Sequence, residues 1–157
     1  MRGDTAQKDL KQSQREEWVI KAELESALKI VLAPYEEHLA DFIDPDSRKT
    51  YEIKKDPLLG VSGNFMVELF ASWSVFRFEL GWIYRYEKLD YLVYYNDNDI
   101  YVFDFKKFRQ FFWFNKHRVG KDWRVNWGVL NNSECVVVLV AVREVEQFLV
   151  YKIGRMV

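Results

Sequence analysis

The chain has 157 residues, 49% apolar and 17% aromatic, enough for one sizeable core and too few for two ordinary domains. Its net charge of −1 excludes a protein that coats nucleic acid by bulk electrostatics. The single cysteine, Cys135, excludes an intrachain disulfide, and the longest apolar run, Cys135 to Val142, is too short to span a bilayer.

Ser13 and Glu16 read as a capping box, and Ile20, Leu24, Leu28 and Val31 recur at helical spacing until Pro34. A long amphipathic helix therefore opens a single domain over residues 13–157, behind a polar extension at 1–12. The polar N-terminus is not signal-like, so a cytoplasmic protein without a membrane partner is expected. Two short stretches, Leu39 to Ile43 and Thr50 to Lys54, flank Asp-Pro-Asp-Ser and predict a hairpin. A loop around Pro57 to Gly63 leads to an apolar strand, Phe65 to Ala71, and to an aromatic connection through Gly81 and Trp82. Tyr91 to Tyr95 and Ile100 to Phe105 flank Asn96 to Asp99, a turn and not a calcium loop, and predict a second hairpin. Lys106 to Phe114 reads as a helix, Val136 to Val142 as a buried strand, and Arg143 to Ile153 as a closing helix. The order gives an α/β or α+β fold with a mixed sheet, without repeats or low-complexity segments.

Chemistry is concentrated in the first hairpin. If its turn is centred between Asp46 and Ser47, paired positions sum to 93 and Asp41 lies opposite Glu52, with Cβ atoms about 5 Å apart. Two carboxylates so close repel unless a cation lies between them. Lys54 shares the face of Glu52, Ile53 points the other way into the core, and Asp44 has the parity of the turn. Two oxygen ligands suit Mg²⁺ or Mn²⁺, which keep waters and take substrate phosphates, and such a site fits phosphodiester hydrolysis with Lys54 aiding the attack. A solvent-exposed cross-strand ion pair is the plainer account of the same residues. A rival, Asp104 and Lys106 with Asp90, lacks an opposed carboxylate, because Tyr91 faces Asp104 if that turn is centred between Asp97 and Asn98.

Asp41-Phe-Ile followed by Tyr51-Glu52-Ile53-Lys54-Lys55-Asp56 resembles the signature of the PD-(D/E)XK nuclease superfamily, with Ala40 where the name has Pro. Ser62-Gly63-Asn64-Phe65, Met66 to Phe70, Gly81-Trp82-Ile83, Leu89-Asp90-Tyr91 and Val136 to Phe148 are similar to later segments of small stand-alone members common in phage and prokaryotic genomes, extending the likeness over about residues 20–150. The resemblance implies a restriction-endonuclease-like sheet flanked by helices. It implies Asp41 and Glu52 as metal ligands, Lys54 as the catalytic lysine and the Ile53 carbonyl as a further ligand. It also implies a helix acid, for which Glu25 is the candidate with Glu17, Glu23 and Glu36 competing, and Asp56 as a supporting partner on the face of Lys54. The expected activity is hydrolysis of DNA by a homodimer.

Between Phe105 and Arg124 lie seven cations and one acid, leaving 16 cations against 23 acids elsewhere. They interleave with Phe111, Phe112, Trp113, Phe114, Trp123 and Trp127, a mixture that offers phosphate contacts and stacking faces. Phe105, Phe108 and Phe112 share one helical face and belong to the core, so Lys116, Arg118, Lys121 and Arg124 are assigned to a nucleic-acid backbone, with His117 beside them. His38 has no partner residue and is not taken as a ligand. Without a glycine-rich phosphate loop or a Ser-His-Asp set, a nucleotide cofactor or triad hydrolysis has no support. The competing readings are a non-catalytic module that binds nucleic acid or protein through this fold, and a structural subunit of a viral or DNA-processing assembly.

Overall fold

In the computed structural model, residues 3–35, 40–56, 59, 61–74, 77–130 and 133–155 are described, the backbone alone at 3–11, 71–74, 77–79, 128–130 and 133–134. The 3.6-residue recurrence of Ile20, Leu24 and Leu28 gives the long helix α1, Gly3–Leu28, whose Ile20 and Leu24 are fully buried. It begins ten residues ahead of Ser13, so the expected capping box is a mid-helix feature in which the Ser13 hydroxyl donates to Glu17 Oε1 at 3.1 Å. The helix ends at Lys29, whose positive φ of 57° turns the chain away, and the Glu25 carboxylate accepts the Leu32 amide at 2.6 Å just beyond.

The chain then forms β1 (Ala33–Pro34), β2 (Phe42–Ile43), β3 (Thr50–Lys55), β4 (Asn64–Ser74), β5 (Arg77–Leu80), α2 (Trp82–Arg85), β6 (Tyr91–Tyr95), β7 (Asp99–Asp104) and α3 (Phe105–Asn115). After a 3-10 turn at Lys116–Arg118 come β8 (Arg124–Leu130), β9 (Ser133–Ala141), α4 (Val142–Val145), a second such turn at Glu146–Phe148, and β10 (Leu149–Gly154). One six-stranded sheet runs β1-β2-β3-β6-β7-β10, mixed because β3 and β6 are parallel while its other pairs are antiparallel. A four-stranded antiparallel sheet runs β5-β4-β9-β8.

Alternation along the strands of the mixed sheet sorts its two faces. Tyr51, Ile53, Val93, Tyr95, Ile100 and Val102 pack with Ile20 and Leu24 of α1. Leu92, Tyr94 and Phe103 face Phe65 and Val67 of β4, Val138 and Val140 of β9, and Phe105, Phe108 and Phe112 of α3. Phe65, fully buried, meets Phe103 and Phe108 edge-on and Tyr94 at a tilt, each ring centroid about 5 Å away. The architecture is α+β, with α1 covering one face of the mixed sheet and the second sheet, with α2 and α3, covering the other.

Both hairpins hold their expected registers: Phe42 opposes Tyr51 and Ile43 opposes Thr50, and Tyr91 opposes Asp104. Asp44 closes the first turn, accepting from the Asp46 amide and the Ser47 hydroxyl. The closing helix is corrected: only Val142–Val145 is helical, and Leu149–Gly154 joins the mixed sheet as an edge strand against β7. Spacing at Val145, Phe148 and Leu149 mimics a helical stripe, but the open edge of β7 captures Leu149 to Ile153 into a ladder. Strands β5 and β8 and the second sheet were not foreseen.

A candidate acid and lysine site at the open edge of β3

Strand β2 is two residues long, so among the described residues β3 has no ladder partner on its outer edge from Glu52 on. Asp41, just before β2, fills that gap. Its amide donates to the Tyr51 carbonyl at 3.0 Å and its Oδ2 accepts the Ile53 amide at 2.7 Å. Asp41 thus reaches β3 through the backbone as well as through its repulsion with Glu52, and is not simply stacked above it. Because N–H and C=O of one strand residue point to the same side, the Ile53 carbonyl also faces this edge.

Glu52 and Lys54 project from the opposite face to Ile53, as alternation requires, and form an ion pair of 2.9 Å. The Glu52 side chain is 8% exposed and that of Lys54 26%, so the lysine is the more accessible member of the pair. Two residues that the sequence did not single out complete the surroundings. The buried Tyr86 hydroxyl donates to Glu52 Oε1 at 2.7 Å, and Lys54 Nζ lies 5.4 Å from the centre of its ring. Glu68 of β4 adds negative potential at Lys54. The alternation of buried Phe65, Val67 and Leu69 puts Glu68 on the other face of β4, so its effect on Lys54 is one of charge and not of contact. Tyr86 is delivered by Gly81, whose amide donates to the Leu69 carbonyl at 2.6 Å. A Cβ at Gly81 would sit 2.1 Å from the Glu68 carbonyl oxygen, so only glycine lets α2 approach β4 this closely.

Of the helix acids, the structure brings Glu17 within electrostatic reach of Asp41. Glu25 is held by Lys21 at 2.7 Å and by the Leu32 amide, and closes the end of α1. Glu17 is the α1 carboxylate whose charge acts on both Asp41 and Glu52. Glu16 is tied to Lys55 and the Tyr95 hydroxyl, Glu23 faces Arg155 at 3.5 Å, and Glu36, like His38, lies outside the described residues.

The electrostatics follow from this crowding. Burial, then repulsion from Glu52 and Glu17, raises the Asp41 pKa to about 7, against the stabilising Ile53 amide and Lys54. Burial, then the charge of Glu52, also raises Glu17. Burial pulls Lys54 down, yet Glu52, Tyr86 and Glu68 outweigh it and hold the ammonium above its ordinary value. Three carboxylates thus share one ammonium. Hard oxygen donors with a carboxyl that cannot ionise cheaply fit a divalent cation, with Asp41, Glu52 and the Ile53 carbonyl as the groups that would hold it. Among the described residues no three Asp, Glu, His or Cys side chains lie close enough to form a complete cage, which Mg²⁺ seldom uses.

Asp56 is buried at the end of β3, where its amide donates to the Tyr95 carbonyl and its charge acts on the Tyr94 hydroxyl. In the rival set, Asp104 caps α3 through the Lys107 amide, while Asp90 takes Lys49, Lys106 and Thr50 and acts as a structural anchor. Of the four cations assigned to nucleic acid, Arg118 is engaged within the chain. It forks onto Glu144, bonds Asp122 and covers the Trp123 ring, pinning the turn at 116–118 to α4. Among the described residues, Lys116, Lys121 and Arg124 are exposed without an acidic partner, and His117 is exposed beside them. No helix among the described residues is long and apolar enough to cross a membrane.

No family model, no curated protein and no solved structure matches this chain.

Proposed function

We propose that the chain is a metal-dependent nuclease that hydrolyses DNA phosphodiester bonds at the open edge of β3, as the PD-(D/E)XK resemblance implies. One observation carries the reading: Asp41, seated on the Ile53 amide, lies within electrostatic reach of the Glu52–Lys54 ion pair, and burial followed by the charges of Glu52 and Glu17 raises its pKa to about 7, a penalty that a divalent cation would relieve. Mg²⁺ or Mn²⁺ there would supply a Lewis acid for the scissile phosphate and activate water. The ion would lie against Asp41 and Glu52, with the Ile53 carbonyl on the same edge.

The residues of the chain divide the remaining work. Tyr86 and Lys54 both donate to Glu52 Oε1, which fixes the rotation of that carboxylate. Lys54, the more exposed partner, stands where it can orient the attacking water and neutralise charge on the phosphate in the transition state. The Ile53 amide holds Asp41 in place at the end of β2.

The test is incubation with plasmid and linear DNA under Mg²⁺, Mn²⁺ and chelator. Cleavage that chelator stops and Lys54→Ala abolishes supports the reading; intact DNA in every metal overturns it. A second reading, a binding module that keeps the fold without catalysis, is favoured by the way Lys54 and Tyr86 already satisfy Glu52. DNA retention without cleavage in either metal would select it.

A further inference from the structure

Four apolar side chains, one from each strand of the antiparallel sheet, stand in register: Leu80 opposes Phe70, Phe70 opposes Val136, and Val136 opposes Trp127. Cross-strand partners share a face, so the four form a row about 14 Å long. It lies beyond the end of the core: Trp127 is 77% exposed, Leu80 52% and Phe70 40%. Aromatic rings continue the row onto the helices. Tyr84 of α2 lies 6.1 Å from Phe70, and Trp113 of α3 lies 5.3 Å from Tyr84. Lys116 places its ammonium over Trp113 at 5.4 Å, at the helical end of the row, whereas Arg124 pairs with Leu139 and projects from the other face of β8. An exposed apolar row of this kind is uncommon on a solitary soluble domain and marks a binding surface.

The charges choose the occupant. An anionic partner with flat apolar groups satisfies both the Lys116 ammonium and the rings. We propose that this row binds unpaired nucleotides, their bases stacking on Trp127 and Phe70 and a phosphate meeting Lys116. Bases inside a duplex are already stacked on one another, so the surface selects single-stranded or branched substrates over plain duplex. The proposal rests on the nucleic-acid side of the reading above and not on its chemistry.

The experiment is fluorescence anisotropy in chelator, with labelled 20-nucleotide oligothymidine and a labelled 20-base-pair duplex as probes. The wild-type chain is expected to bind the single strand at least ten-fold more tightly and to lose tryptophan fluorescence as it does. Trp127→Ala should cost about ten-fold on the single strand and less than two-fold on the duplex, while Trp127→Phe, which keeps a stacking face, restores most of the loss. A thermal melt verifies that both variants fold. Equal affinity for the two probes, an unchanged Trp127→Ala variant, or an equal loss on both probes overturns the proposal. A dimer that Trp127→Ala dissociates, with no oligonucleotide affinity, also overturns it and makes the row a contact between copies. Single-strand binding by a chain that cleaves nothing under Mn²⁺ would overturn the nuclease reading and leave this one standing.

Discussion

Asp41 Oδ2 accepts the Ile53 amide at 2.7 Å, taking the ladder position that β2 is too short to supply. One contact thereby caps a strand edge and holds a carboxylate against Glu52, which ties the stability of the edge to the charge of the site. Burial and that neighbour raise the Asp41 pKa to about 7. In the unfolded chain an aspartate ionises near pH 4, so between about pH 4 and 7 the folded state binds more protons and stability falls as pH rises.

Asp41→Asn keeps an acceptor for the Ile53 amide and removes the charge. The metal-free variant should melt higher than wild type at pH 8, by roughly 5 °C for about 1–3 kcal/mol, and equal it at pH 4. Calorimetry in chelator at the two pH values checks this; a variant less stable at pH 8 would show that Asp41 carries no electrostatic penalty.

A divalent cation should lower the Asp41 pKa by displacing its proton. Mn²⁺ affinity is expected to rise up to about ten-fold per pH unit below pH 7 and to level off above it, because a single proton competes. Titration calorimetry between pH 5.5 and 8.5 measures it. Pro-metal stabilisation that is flat across this range would place the ion elsewhere.

Legibility tracked locality. The register of the first hairpin followed from turn chemistry and alternation, so Glu52 with Lys54 on one face and Ile53 on the other could be read directly. The identity of the helix acid could not. Glu17 and Glu25 lie eight residues apart on α1, and which one meets Asp41 depends on where the helix crosses the sheet, a matter of packing and not of periodicity. Tyr86 was hidden for the same reason: its link to Glu52 spans 34 residues and depends on the close approach at Gly81. Arg118 looked like a free cation because its partner Glu144 lies 26 residues on, beyond strands β8 and β9. Leu149 to Ile153 could have been helix or strand by pattern, and the vacant edge of β7 decided it.

Tyr86→Phe removes one of two donors to a buried carboxylate oxygen and little volume. It should cost about 1–2 kcal/mol in stability and weaken Mn²⁺ binding several-fold by letting Glu52 rotate. Gly81→Ala forces a Cβ to within 2.1 Å of the Glu68 carbonyl and must shift α2 with its Tyr86. It is expected to cost more, about 2–4 kcal/mol, and to lower metal affinity at least as far. Denaturant melts with metal titrations read both effects. A Gly81→Ala chain with wild-type stability would show that α2 docks less tightly than its contacts imply.

The charge map divides the basic segment into staples and free cations, and mutation should separate them. Lys116→Ala, Lys121→Ala and Arg124→Ala together remove three unpaired charges and should leave the melting temperature within about 2 °C, while flattening the salt dependence of DNA binding by roughly two to three units of log–log slope. Arg118→Ala should do the reverse. It strips Glu144 of a forked partner and uncovers Trp123, so it should lower the melting temperature and leave the slope nearly unchanged. Anisotropy titrations from 50 to 300 mM salt beside thermal melts decide the matter. If Arg118→Ala alone flattened the slope at unchanged stability, its guanidinium would be contacting phosphate and the assignment of Glu144 as its holder would be wrong.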